Sequence, residues 1–349
     1  MTKFFRILLV LSATVLAASA CIRRDLGDPN ELVKIRVQVD IQAISNITTN
    51  VYNEKIPAPS LNTDMMRVMV YDPSSKNVVT QSFISNKTYN ENGEQVFNGT
   101  LNIGFGNFDV LVYNFDTPTT QVRQESNEMS ALAYTNPIPE VQQSKYMASK
   151  AQRDIAGNFS INYEPDHFVV ARERNLRISP RDTVVVIETT AKTIIDTYYL
   201  QIHVEGMQFA SSATAVISGL SPSNHFGLNE RTEDPTAGVC FDLLKSTDER
   251  YAGANKDVLC AVFNTFGKIE DVASDLIVTF NVTDTAGNLL QYDFDLNTVF
   301  KTKEAIEYHW LLIDDTITIP DPGPGPAQGG GGFQPKVDDW EEEQGEIVL

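Results

Sequence analysis

The sequence predicts an all-β protein built from two β-sandwiches in tandem. Three observations lead there. Leu32 to Ile44 alternates strictly, with Val33, Ile35, Val37, Val39 and Ile41 on one side and Lys34, Arg36, Gln38, Asp40 and Gln42 on the other, which is the pattern of a half-buried strand. Short runs of β-type residues then recur between turn residues along most of the chain. Finally, 349 residues with 42% hydrophobic content suffice for two packed cores.

The chain opens with MTKFFRILLVLSATVLAASAC. Lys3 and Arg6 make a positive start, Ile7 to Ala18 an apolar stretch too short for a permanent span, and Ala18-Ser19-Ala20 a small-residue site. Together they read as a secretory signal, residues 1–20. Cys21 directly after the small residues resembles the bacterial lipobox, although Ala18 stands three places before it rather than the usual Leu. That resemblance implies cleavage before Cys21 and a diacylglycerol on its thiol, and hence a membrane contact through lipid. The bland alternative is an ordinary cleaved signal with a chance cysteine. Residues 21–31 follow as a lipid-proximal tether rich in turn and charged residues.

The net charge of −19 repels phosphate backbones and argues against a nucleic-acid partner. Cys240 and Cys260 remain once Cys21 is assigned to lipid. Both sit in strand-like runs, VCFDLL and VLCAVF, in a chain directed to an oxidising compartment. They are candidates for a disulfide worth roughly 3 kcal/mol in loop closure, or else two buried thiols.

After the first strand, β-type runs fall at Arg67–Tyr71, Val78–Ser85, Gln95–Ile103 and Phe108–Phe115, punctuated by Asp72-Pro73-Ser74, Asn92-Gly93 and Gly104-Phe105-Gly106-Asn107. Residues 116–165 lose the alternation. They read as an insertion on the first sandwich, with a short helix expected around Ser126–Ala133. The first sandwich is assigned to 32–180. A second, 181–320, carries the runs Val184–Glu188, Ile194–Glu205, Ala213–Leu220, Val239–Leu244, Val258–Phe266, Asp275–Asp284, Asn288–Asn297 and Trp310–Ile319, with a hairpin turn at Asp284-Thr285-Ala286-Gly287-Asn288.

Residues 321–349 form a Pro/Gly linker and a tail, FQPKVDDWEEEQGEIVL. Trp340, Ile347, Val348 and Leu349 are costly to leave in water, each side chain being worth about 1.5–3 kcal/mol on burial. The tail, with Trp340, Ile347 and Leu349 as its anchors, is therefore a candidate donor strand.

No catalytic constellation emerges and no cofactor is implied. His167, His203, His225 and His309 are scattered, and no zinc, phosphate-loop or nucleophile-elbow pattern occurs. Asp293, Asp295, Asn297 and Glu304 approach a calcium-loop spacing, but Thr298 occupies the position that demands glycine. No metal site is assigned. Asp284-Thr285-Ala286 resembles the Asp-Thr-apolar sites that carry O-glycans in Bacteroides-type bacteria, which makes Thr285 a candidate attachment point.

Several segments together resemble the fimbrillin superfamily of Bacteroidales, and within it the lipoprotein FimB-like anchor and accessory subunits of type V fimbriae. They are Cys21-Ile22-Arg23-Arg24-Asp25, the run from Gly106 to Asn114, Ala215-Val216-Ile217-Ser218-Gly219-Leu220, and the closing Val337-Asp338-Asp339-Trp340 with Ile347-Val348-Leu349. The lack of a catalytic constellation argues against an enzyme, and the resemblance implies two transthyretin-like Greek-key sandwiches, an outer-membrane lipoprotein exposed at the cell surface and assembly by β-strand addition. Its expected partners are other fimbrial or surface proteins and a host or bacterial surface ligand. Stalk subunits of that superfamily lose an N-terminal strand to an arginine-specific protease. Here Arg36 lies inside the first strand, and Arg23 and Arg24 lie almost at the lipid, which favours a member that stays anchored. The alternative is a glycan-binding surface lipoprotein of a nutrient-uptake system.

Overall fold

The computed structural model describes residues 33–41, 61, 63–91, 93–115, 117–146, 160–182, 184–233, 236–248, 257–269 and 276–323, the first segment by its backbone alone. In chain order the first half holds β1 (Val33–Ile41), β2 (Met66–Tyr71), β3 (Val78–Ile84), β4 (Asn86–Tyr89), β5 (Gln95–Ile103) and β6 (Gly106–Asn114). The stretch without alternation holds β7 (Thr120–Arg123), β8 (Leu132–Thr135), helix α1 (Glu140–Tyr146) and β9 (Ser160–Asn162). The helix therefore lies after 126–133, where a turn and β8 stand instead. Then come β10 (Val169–Ile178) and β11 (Val184–Thr193).

Eight of these strands form one sheet in the order β3-β2-β6-β10-β11-β1-β5-β4. β11 was expected to open the second sandwich, but it pairs with β1 and β10 and sends Ile187 and Ala191 into the first core. That core joins Met66, Val68 and Val70 of β2 to Phe97 and Leu101 of β5 and to Val110 and Val112 of β6. Gly99 in β5 is set by space: a Cβ there would sit 1.9 Å from Ile84 Cγ2, so any side chain would force the two strands apart.

The second half holds β12 (Asp196–Glu205), β13 (Ala210–Leu220), β14 (Ser223–His225), β15 (Glu230–Arg231), β16 (Ala237–Asp242), β17 (Leu244–Thr247), β18 (Asp257–Thr265), β19 (Ile277–Asp284), β20 (Leu289–Asp295), helix α2 (Lys303–Tyr308) and β21 (Trp310–Thr318). A four-stranded sheet, β17-β18-β12-β21, faces a five-stranded one, β20-β19-β13-β16-β9. Between them lies the larger core, with Leu200, Ile202, Leu259, Phe263, Ile217, Phe280 and Leu311 among its members. The alternation read at β12 holds: Leu200, Ile202 and Val204 point into this core. Thr302 caps α2, its hydroxyl accepting the Ala305 N–H at 3.2 Å.

Alternation also decides the cysteines. Val239 and Phe241 face the core, so Cys240 between them faces outward; Leu259 and Ala261 do the same to Cys260 on the opposite sheet. The candidate bridge between Cys240 and Cys260, one of the two alternatives left open by the sequence, does not form. The two thiols belong to different sheets and point away from each other, beyond what a disulfide spans.

Candidate functional site

β1 occupies a slot in the middle of the eight-stranded sheet. Residues 34–41 pair in parallel with 184–191 of β11, and residues 33–40 pair antiparallel with 103–96 of β5. Parallel pairing needs a long crossover, so β1 is held by its two neighbours and not by a hairpin. Taking it away would separate the β4-β5 pair from the other five strands and leave two facing rows of unpaired N–H and C=O groups. Arg36 lies at the centre of the strand, opposite Val186 on one side and Thr100 on the other.

A second feature is the seam between the two sandwiches. β2, β6 and the start of β10 are apolar on both faces. Val110 and Val112 enter the first core, while Leu111 and Tyr113 enter a separate cluster with Met69, Tyr71, Phe168, Val170, Phe226 and Phe266. A small sheet, β15-β14-β8-β7, covers this outer face, with β8 from the first half of the chain paired to β14 from the second. The rings of Tyr113, Phe168 and Phe226 close on one another with centroids 4.8 to 5.7 Å apart, a packing worth about 0.5–1.5 kcal/mol per pair beyond burial.

Charges lock the same seam. Asp109, 2% exposed, accepts Lys76 Nζ at 2.7 Å and the Asn175 N–H at 2.9 Å, with Arg174 at 3.4 Å. Glu128, fully buried, pairs with Arg174 and with Lys76, the latter at 3.3 Å. Arg174 also donates to the Gly227 carbonyl at 2.8 Å. A bulge between Glu173 and Leu176, with Asn175 at φ 55°, re-aims the strand so that these groups meet. Burial pushes the Asp109 carboxyl upward, but the Lys76 hydrogen bond, the Asn175 N–H and the charges of Lys76 and Arg174 outweigh it and hold the group below the usual carboxylate range.

The connector from β9 to β10 carries Glu164, which accepts the Asn264 N–H of β18 at 2.8 Å. Burial raises its pKa to about 7; the Asn264 N–H works against this and Asp166 adds to it. The native state therefore keeps this proton at pH values where the unfolded chain has released it. The contribution to stability falls as pH rises from about 4.5 to about 7. Glu164→Gln retains an acceptor for Asn264 and removes the charge. It should stabilise the fold at pH 8, by about 3 kcal/mol at most, and change nothing at pH 4. Thermal unfolding at the two pH values reads this directly, and equal effects at both would refute the assignment.

Thr285 is exposed in the β19–β20 turn, which Asp284 shapes by accepting the Ala286 and Asn288 N–H groups, each at 2.8 Å. Asp293 and Asp295 stand on the exposed side of β20, whereas Glu304 lies in the first turn of α2. Among the described residues, no group of three or more His, Cys, Asp or Glu side chains could hold a metal ion. No helix among them is long and apolar enough to cross a membrane. Cys21, Trp340, Ile347 and Leu349 lie outside the described residues. The sequence reading missed the seam. Its one signal was the run from Phe108 to Tyr113, too apolar for a strand with a wet face.

Comparison with known proteins follows the same architecture. A family model described as "Domain of unknown function (DUF5119)" matches residues 20–242. A protein of Bacteroides ovatus named "Putative fimbrium anchoring subunit Fim4B" is 21% identical over 356 residues, covering 95% of this chain and 94% of its own. A crystallised "putative adhesin" from Bacteroides ovatus superposes with a TM-score of 0.56 at 15% identity, over 87% of this chain and 98% of that one. The fimbrial anchor protein Mfa2 from Porphyromonas gingivalis gives a TM-score of 0.46 at 9% identity, over 80% and 88% of the two chains.

Proposed function

The chain belongs to the DUF5119 family, and from that premise we propose that it is a surface lipoprotein that acts as a fimbrial anchor or accessory subunit, or as an adhesin. One observation carries the reading: the match to a relative named for fimbrium anchoring runs nearly end to end in both chains. The role is structural and adhesive, with other fimbrial or surface proteins as partners and the outer membrane reached through lipid on Cys21.

The slot supports the anchored version of this role. β1 fills it from within the same chain, and a cut at Arg36 would divide the strand at its middle. A subunit that keeps its own strand has no vacancy for a neighbour's in that place. Contacts with other subunits then use free sheet edges and the tail, whose Trp340, Ile347 and Leu349 suit the alternate pockets of strand addition. Thr285, exposed in its turn, is where an O-glycan would attach.

The test is lipidation. Radiolabelled palmitate should enter the wild-type chain when it is expressed in a Bacteroides host. Cys21→Ala should carry no label and should leave the membrane fraction. Label absent from the wild type, or retained by Cys21→Ala, would defeat the anchored reading.

A further inference from the structure

A sheet edge is an open row of N–H and C=O groups, and native proteins protect theirs with charge or by keeping them short. Each of the four sheets ends in two edge strands. β4, β7, β9, β15 and β17 are at most four residues long. β20 and β21 are longer and carry charge, Asp293 and Asp295 on the first and Asp314 and Asp315 on the second. β3 has neither protection. Its seven residues, Val78-Val79-Thr80-Gln81-Ser82-Phe83-Ile84, include no charge and no proline.

Beyond its ladder with β2, the strand is held at its ends. The Val78 N–H donates to the Ser126 carbonyl at 2.9 Å, and Ile84 packs against Gly99 of β5. From Val79 to Phe83 its paired neighbour among the described residues is β2 alone. Val79 and Phe83 are 51% and 52% exposed on one face, with Gln81 exposed between them. Phe115 lies beside Phe83, ring centroids 5.2 Å apart, and the Arg67 guanidinium covers both rings at 5.5 and 5.9 Å. Glu125 neutralises Arg67 at 2.9 Å, and Arg67 donates to Gln81 Oε1 at 2.5 Å. The patch therefore offers aromatic and guanidinium surface, the material of binding hot spots, with its charge already paired.

We propose that β3 pairs with β3 of a second copy of this chain, antiparallel about a two-fold axis at Gln81. A two-fold interface must complement itself, and this register does so. It sets Val79 opposite Phe83 of the second copy, Thr80 opposite Ser82, and Gln81 opposite Gln81. Aromatic with β-branched and Thr with Ser are favourable cross-strand pairs, and two amides bond each other as donor and acceptor. Charge selects the same edge. Copies with a net charge of −19 repel each other, and pairing through β20 or β21 would gather two carboxylates from each copy. At β3 no like charges meet. The pairing does not rest on lipid at Cys21, and a failed lipidation test leaves it standing.

The full chain carrying Cys21→Ala tests it in solution, where no shared membrane brings copies together. Sedimentation equilibrium should show monomer and dimer, with the dimer favoured as salt rises from ~0.05 to ~0.5 M, because screening removes the repulsion and leaves the uncharged strand contact intact. Adding Gln81→Lys sets two ammonium groups against each other at the axis and should weaken the dimer about tenfold or more. Gln81→Cys should form a covalent dimer under mild oxidation, since directly opposite residues lie within disulfide reach. Val79→Cys should not, because its two copies stand four residues apart along the strands, roughly 13 Å. The chain with Gln81 intact is the control for Cys240 and Cys260. If circular dichroism shows Gln81→Lys unfolded, the two cysteine variants decide. A chain that stays monomeric throughout, a dimer indifferent to Gln81→Lys, or equal cross-linking at the two positions would overturn the proposal. So would a synthetic peptide of residues 333–349 that binds the monomeric chain and not its Gln81→Lys variant, which would give the edge to the tail.

Discussion

Val37→Pro should be among the most destabilising single substitutions in the chain. Val37 sits in the middle of β1, opposite Ile187 of β11 and Gly99 of β5. Proline deletes a ladder hydrogen bond and its ring disturbs the pairing on a strand with neighbours on both sides, so it is confined to edges in native sheets. The expected cost is about 3 kcal/mol or more, which is a large share of the ~5–15 kcal/mol that holds a domain folded. The damage should also be local at first. β1 is tied in by two ladders and no hairpin, so it can leave while β2, β6 and β10 stay paired.

That gives the experiment a second arm. A synthetic peptide of the β1 sequence, Val33–Ile41, added to the Val37→Pro chain should raise its melting temperature, because the vacated slot offers unpaired groups on both sides. The same peptide should leave the wild type unmoved, since its slot is already filled. A wild-type chain that takes up the peptide would show that β1 exchanges freely, and the anchored reading would lose its structural support. An unaltered melting temperature in Val37→Pro would mean that β1 does not hold the sheet together.

Where the sequence was legible, one physical rule made it so. β20 has one face on a core and one in water, and in β12 core-facing Leu200, Ile202 and Val204 alternate with polar or aromatic neighbours, so the residues of both strands alternate accordingly. β6 breaks the rule because both of its faces are covered, and its near-continuous apolar run was readable as a strand without revealing what lay on its far side. β10 was missed because Arg172-Glu173-Arg174-Asn175 looks like a solvated loop. Those charges are in fact the seam's lock: Arg174 meets Asp109 and Glu128, and Arg172 donates to the Phe226 carbonyl. Their partners lie up to 65 residues away in the chain, and no local pattern encodes a pairing at that range. The cysteine bridge failed for the opposite reason. The parity of Val239-Cys240-Phe241 already places the thiol outward, and in a strand direction, not proximity alone, decides whether two thiols can meet.

The lock at the seam makes the second large prediction, Asp109→Ala. Removing one member of a buried ionic cluster is costly mainly through the groups it leaves behind, and typical losses are about 3–5 kcal/mol. Here the loss should sit near about 3 kcal/mol, because Lys76 and Arg174 are roughly a third exposed and can turn to water or to Glu128. The Asn175 N–H has no such escape; it is held by a bulge and loses its acceptor. Asp109→Asn should therefore recover part of the loss, since its amide oxygen can still accept from Asn175 while the charge is gone. Acid supplies an independent control. The carboxyl has its native pKa below its ordinary 3.8, so its stabilising effect is complete at neutral pH and is lost as pH falls through that depressed value. Denaturant melts at pH 7 should thus separate the wild type from Asp109→Ala, and the gap should narrow at pH 2.5. A gap that stays constant with pH would mean that Asp109 acts through its shape alone, and the charge network would no longer explain how Lys76, Arg174 and the Asn175 bulge are held together beside the seam.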